Sequence, residues 1–255
     1  MKRTTSKRPP NPDEPGLFLA NMDAKTKALE VHQRLIQLFG ERPKKCHLDP
    51  IAQLVSTILS QNTNDVLRDK AFHALRQRFP TWEQVRDAPL EEVIEAIQIA
   101  GLSQQKAPRI QQALRYISAE RGKLDLGFLR QMEVAEAKQW LTSINGIGPK
   151  TAAIILLFSL GMPAFPVDTH IHRVSRRLGL IPANASREKA HELLEALLPQ
   201  EAYYTFHLNV IRHGREVCQA RRPRCELCTL RDLCDYYRNA VSPPVEAINS
   251  QKSRA

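Results

Sequence analysis

An all-α fold of short packed helices is what this 255-residue sequence predicts, on three observations. Ten glycines and few β-branched runs argue against an all-β chain. Leu, Ala, Glu, Arg and Gln recur in long stretches that favour helix. Helix-start signals follow one another, with no convincing strand between them and no internal repeat.

Residues 1–16, MKRTTSKRPPNPDEPG, are polar, basic and proline-rich and read as a disordered tail. Asp49 can cap a helix with Pro50 at its first position, continuing through IAQLVSTILS until QNTND breaks it. A second helix is expected from about Asp65, ended by Pro80, and Thr81 with Gln84 fits a capping box for the next. PLEEVIEAIQ is short and stops near Gly101. Gln104 to Glu120 is long, amphipathic and basic on one side. EVAEAKQWLTSI leads into INGIGPK, and TAAIILLFSL leaves it. Asp168 opens THIHRVSRRLG, Ser186 can cap REKAHELLEALL, and a further helix runs from about Glu201 to His213. Residues 241–255 read as a second disordered tail.

The formal charge is +10, with an isoelectric point near 9.6. Nucleic acid, an anionic membrane surface or mere solubility could each account for it. No apolar run approaches the length of a membrane span, and the basic N-terminus lacks the apolar segment of a secretory signal. Five cysteines, four of them crowded near the C-terminus, suggest a reducing compartment and a metal site in place of a disulfide framework. Cys46 stands alone and reads as an incidental or structural thiol.

The turn NGIGPKTAA, Asn145 to Ala153, is the most informative stretch. It completes neither the dinucleotide fingerprint nor the P-loop: the position of the third glycine holds Thr151, and one residue separates the two glycines. Between two helices, Gly146 and Gly148 can take positive φ, and Pro149 fits the first helical turn. The amides of Gly146, Gly148 and Lys150 could then face one anion. A turn shaped only by glycine geometry is the alternative.

L-x-x-I-x-G-I-G-P-K-T-A resembles the helix–hairpin–helix of the endonuclease III family of DNA glycosylases. FPVDTHIHRVSRRLGL resembles that family's V-D-T-H segment, and the C-terminal cysteines resemble its iron–sulfur loop. The three motifs keep the family's order and approximate spacing, and the likeness covers most of residues 49–234. The resemblance implies two helical lobes with DNA in the cleft. One would be a bundle over roughly 43–162, with the hairpin at about 141–153. The other would join 17–42 to 163–240 and hold the cluster.

The resemblance also implies roles. Lys150 would attack the sugar C1′, displace the base and form a Schiff base, after which β-elimination breaks the 3′ phosphate ester. Asp168, an N-cap by position, would also stabilise the positive sugar as the base departs. His170 and His172 are two apart, a poor metal pair, so His170 is expected to support the site or touch DNA. Arg173, with Arg176 and Arg177, would line the phosphate path or form a solvated face.

Cys218-x6-Cys225-x2-Cys228-x5-Cys234 could by spacing alone hold zinc or an iron–sulfur cluster. The family pattern selects [4Fe–4S]. Arg221, Arg222 and Arg224, between the first two ligands, would then face a DNA phosphate. Base extraction also needs a residue to fill the gap. By the resemblance that is Asn62 or its neighbour Gln61, with Leu102 as the apolar wedge. Ser103 stands where relatives often carry an aromatic residue, which leaves base choice open.

The expected activity is a bifunctional glycosylase and abasic-site lyase acting on oxidised pyrimidines in double-stranded DNA. The expected setting is a monomer in a prokaryotic cytoplasm, away from any membrane. The rivals are a monofunctional mismatch or adenine glycosylase, a non-catalytic DNA-binding module, and electron transfer through the cluster.

Overall fold

The computed structural model of the chain describes residues 22–43 and 48–241. The tail expected at 1–16, residues 242–255 of the tail expected at the C-terminus, and Cys46 lie outside them. Among the described residues there is no strand, and the fold is all-α. No helix among them is long and apolar enough to cross a membrane.

The expected caps form. Helix α1, Ala24–Phe39, starts at Asp23, whose carboxylate accepts from the amides of Lys25 and Thr26. Helix α2, Pro50–Leu59, has Asp49 as its cap and Pro50 in its first turn. Helix α3, Asp65–Arg78, is capped by Asn64. Helix α4, Trp82–Asp87, has the full capping box of Thr81 and Gln84. Helix α5, Leu90–Ile97, runs through a short 3₁₀ turn, Gln98–Ala100, towards α6, Ser103–Arg121. Helix α7, Val134–Ser143, precedes the glycine turn, and α8, Pro149–Ile154, follows it. Helices α9, Thr169–Leu178, α10, Arg187–Leu197, and α11, Tyr203–Glu216, complete the set, with Asp168 and Ser186 capping the first two.

The buried apolar residues fall into two clusters. The first runs from Ile51 to Ala164 and is filled by α2 to α8. The second combines α1, through Ala28, Val31 and Leu35, with α9 to α11 and with Leu230, Leu233 and Cys234. The two meet in a π-helical turn, Ile155–Ser159, that continues α8. Ile155 and Leu156 point into the first cluster, and Leu157 into the second. Phe158 leaves the same turn to pack on the rings of Tyr204 and His207, at 5.0 and 5.4 Å. Nothing in the apolar run AIILLFSL announces that change of pitch.

Candidate active site

Between the two cores lies an open cleft of about 640 Å³. Its walls bring together Gln61, Asn62, Gly148, Lys150, Asp168 and His170, which lie far apart in sequence. Leu102, Gly146, Arg173, the loop arginines and the four cysteines do not line it. A larger groove of about 870 Å³ runs beside Arg176, Gly179 and Asp235, away from Lys150 and Asp168.

Lys150 is the second residue of α8, exposed, and no hydrogen bond or ion pair holds its side chain among the described residues. The turn before it departs from expectation in one respect. Gly146 has φ +84°, but Gly148 has φ −93°, so only the first glycine uses the left-handed region. The reason is local: Gly148 is the N-cap of α8 and needs ordinary extended backbone there. At Gly146 a Cβ would come within 3.3 Å of the Arg109 stem, so that glycine also admits α6 against the hairpin.

Asp168 caps α9 through Oδ1, which accepts from the Ile171 amide at 2.8 Å. The segment leading to it is pinned by residues the motifs did not flag. Glu195 accepts from the Phe165 amide at 2.8 Å and also pairs with Lys138 at 2.5 Å. His191 Nδ1 bonds the Phe165 carbonyl at 2.8 Å, and His207 Nδ1 bonds the Pro166 carbonyl at 3.0 Å. Facing a carbonyl, each Nδ1 must carry the proton. Burial pushes the His207 imidazole down to about 4 and lowers that of His191. Both histidines also line the cleft. Asp65 and Arg215 form an ion pair across it at 2.8 Å.

His170 is half-buried, and burial lowers its basicity. Arg173, expected on the phosphate path, instead ties α9 to the cluster loop. Its guanidinium donates to the carbonyls of Gly214 at 2.8 Å and Cys218 at 3.0 Å, and contacts His170 Nδ1 at 3.1 Å. Buried carbonyls at the end of α11 compete successfully for those donors. Arg177 does the same for Gln219 and Ala220. The side chains of Arg221, Arg222 and Arg224 are left exposed.

The four cysteines line a second, smaller cavity with Val174, Leu178 and Val217, and none forms a disulfide. Burial, reinforced by the neighbouring sulfurs, pushes the Cys228 thiol up to about 11 and raises those of Cys225 and Cys234. Grouped thiolates in so apolar a setting need a positive partner. Among the described residues no three His, Cys, Asp or Glu side chains are grouped so as to hold a metal ion.

The two loops expected to open the duplex share an unusual backbone. Asn62, at φ +53°, and Leu102, at φ +52°, are the only non-glycine residues with positive φ among the described residues. Asn tolerates that region, whereas Leu is strained in it. Leu102 is nevertheless 46% exposed, so no core packing accounts for it.

Comparison with known proteins fits this arrangement. Residues 55–200 match the profile of HhH-GPD superfamily base excision DNA repair protein. The chain belongs to that superfamily. This HhH-GPD chain is 32% identical to endonuclease III of Thermotoga maritima, over 82% of its own length and 92% of the relative's. A DNA glycosylase homologue of Arabidopsis thaliana is 36% identical over 64% of the chain, which spans only 55% of that relative. A solved structure of a trapped endonuclease III–DNA covalent intermediate superposes with a TM-score of 0.71 at 29% identity. It covers 84% of this HhH-GPD chain and 97% of that one.

Proposed function

We propose that this chain is a bifunctional base excision enzyme: a DNA glycosylase that removes oxidised pyrimidines and then nicks the abasic strand. The observation that carries the reading is the shared cleft, which joins an unencumbered amine from α8 to a carboxylate at the start of α9. Lys150 Nζ attacks C1′, and the C1′–base bond breaks with its electrons leaving on the base, which takes up a proton. Loss of the ring oxygen bond gives an imine between Nζ and C1′. The imine acidifies the C2′ proton, and its removal expels the 3′ phosphate oxygen by β-elimination. Asp168 has one carboxylate oxygen committed to its cap, and the other is available to the positive sugar. The DNA held covalently by the solved endonuclease III relative supports the same chemistry here.

The cleft also favours the substrate class. Its described lining contains no Phe, Tyr or Trp. A pyrimidine saturated at C5–C6 is puckered and gains little from a flat stacking partner, while the polar wall offers hydrogen bonds.

We further propose a [4Fe–4S] cluster on Cys218, Cys225, Cys228 and Cys234. The donor set fits: four thiols border one apolar cavity, with no close grouping for a single ion. When bound, the cluster would cross-link the loop covalently to α11. The chain's own residues do the rest, as Arg177 fixes the Gln219 and Ala220 carbonyls and leaves the loop arginines facing outward towards phosphate.

Borohydride trapping tests the catalytic reading. The wild-type protein should link covalently to DNA bearing an abasic site. Lys150→Ala should lower trapping at least ~10³-fold while DNA binding persists. Trapping that survives in the variant would place the nucleophile elsewhere.

A further inference from the structure

The largest fully buried side chain in the protein belongs to a lysine. Lys106, in the first turns of α6, is 1% exposed. No carboxylate pairs with it. Its Nζ donates to three oxygens: the Leu59 carbonyl at 2.8 Å, Thr63 Oγ1 at 2.6 Å and the Ala100 carbonyl at 3.0 Å. Thr63 Oγ1 in turn donates to the Ala100 carbonyl. Three acceptors match the three N–H groups of an ammonium and would leave one unmet by a neutral amine.

The identity of those acceptors is the informative part. Leu59 is the last residue of α2, and Ala100 ends the 3₁₀ turn after α5. Both carbonyls lie at negative helix ends, where a cation is favoured. Beyond Leu59 the chain enters the loop that carries Gln61 and Asn62. Beyond Ala100 it enters Gly101 and Leu102, and the Leu102 carbonyl accepts from the Lys106 amide at 2.9 Å. One residue therefore joins the two loops that hold the two left-handed non-glycine residues. Strained backbone of this kind persists only where its surroundings over-determine it.

Burying an unpaired cation is costly, and for stability alone an apolar side chain of similar volume often does as well or better. Lys106 thus calls for a role that an apolar residue could not perform. We infer that Lys106 is a positioning residue that locks the Asn62 and Leu102 loops at a fixed separation, so that both enter the base stack together when a nucleotide is drawn out. The inference rests on the proposed glycosylase function and specifies how that site opens the duplex.

The test separates base extrusion from chemistry. Lys106→Met keeps the volume and removes the three donors. Thr63→Val removes the hydroxyl link and leaves the lysine in place. The substrates are duplex DNA with one oxidised pyrimidine and a single strand with a preformed abasic site. A third probe is duplex DNA with 2-aminopurine beside the lesion, whose fluorescence rises on unstacking. Lys106→Met should slow excision from the duplex at least ~10-fold, as expected for misplaced contacts. It should also remove most of the 2-aminopurine signal at saturating protein. Nicking of the single strand should stay within about twofold, because no stacked base has to leave there. Thr63→Val should move the same readouts in the same direction by less. Equal losses on both substrates, or no change in unstacking, would overturn the inference and leave Lys106 a structural residue. If the wild-type protein fails to trap on abasic DNA, the proposed lyase function fails. The 2-aminopurine comparison would still judge the lysine.

Discussion

The two walls of the cleft hold their key residues in different ways. On the first, Lys150 is placed by backbone alone: a left-handed glycine, a proline in the first helical turn, and an apolar run that anchors α8 in the core. On the second, Asp168 is placed by side chains from other helices, with Glu195, His191 and His207 gripping the three residues before it. The same contrast runs through the cores. Capped helices fill the first, while the second leans on Lys27, Arg34, Arg173 and Arg177 bonded to the carbonyls and carboxylates around the cysteines. The first wall should therefore tolerate changes in charge and fail on changes in backbone. The second should respond to metal, protonation and salt.

The largest departure should come from removing a thiolate. Cys225→Ser should purify without the iron of about four atoms per chain expected of the native protein, and lose several kcal/mol of stability, since metal binding energy is folding energy in such sites. The loss should concentrate in α9, α11 and the cysteine loop, read by hydrogen exchange. Exchange that rises equally in α2 to α6 would break the contrast between the two cores.

Next in size is Asp168→Asn. Base excision should fall about 10²–10³-fold, as when one electrostatic stabiliser of a transition state is removed, with a smaller effect on nicking a preformed abasic site. Equal loss of both steps in a folded variant would mean that the residue acts only as a cap.

Acid should weaken the second wall specifically. His207 and His191 have folded-state values below the ordinary 6.5, so between 6.5 and about 4 the unfolded chain binds protons that the folded chain refuses. Stability is therefore full above pH 6.5 and falls as pH drops towards 4, by about 1.4 kcal/mol per pH unit for each such histidine. Denaturant midpoints at pH 7.5 and 5 would measure it. His207→Gln, which keeps a donor for Pro166, should flatten the slope.

Smallest should be the effect of the exposed loop. Replacing Arg221, Arg222 and Arg224 by alanine should weaken lesion and undamaged DNA alike. It should reduce the salt dependence of log affinity by about 0.9 for each phosphate that is no longer neutralised. A full salt slope in the triple variant would make the loop a solvated face.

What is legible in the sequence follows the same division. Caps and turns are local, so Asp49, Thr81 with Gln84, Asp168 and Ser186 can be read from their neighbours alone. Lys150 is legible because its turn carries its own glycine and proline signals. His191 and His207 are not, since a single histidine within an amphipathic helix has no neighbour that announces a distant carbonyl. In sequence Lys106 belongs to a basic helical side, yet its carbonyl partners at positions 59 and 100 become visible only when α2 and α5 pack beside α6. The charge of Arg173 points to phosphate, and it cannot reveal that backbone oxygens of Gly214 and Cys218 stand nearer than solvent.

The π turn at Ile155–Ser159 bears on how this gene can change. A π turn holds one residue more than the α turn it replaces, so deleting a single codon there would still leave a regular helix. Each residue of an α-helix advances the azimuth by about 100°, and such a deletion would swing everything downstream through roughly that angle. Leu157 would leave its core, and the segment carrying Asp168 would approach Lys150 from the wrong side. A frame-preserving lesion that looks mild on paper should therefore be as damaging as losing either residue outright, while a paired insertion one turn later should restore the register.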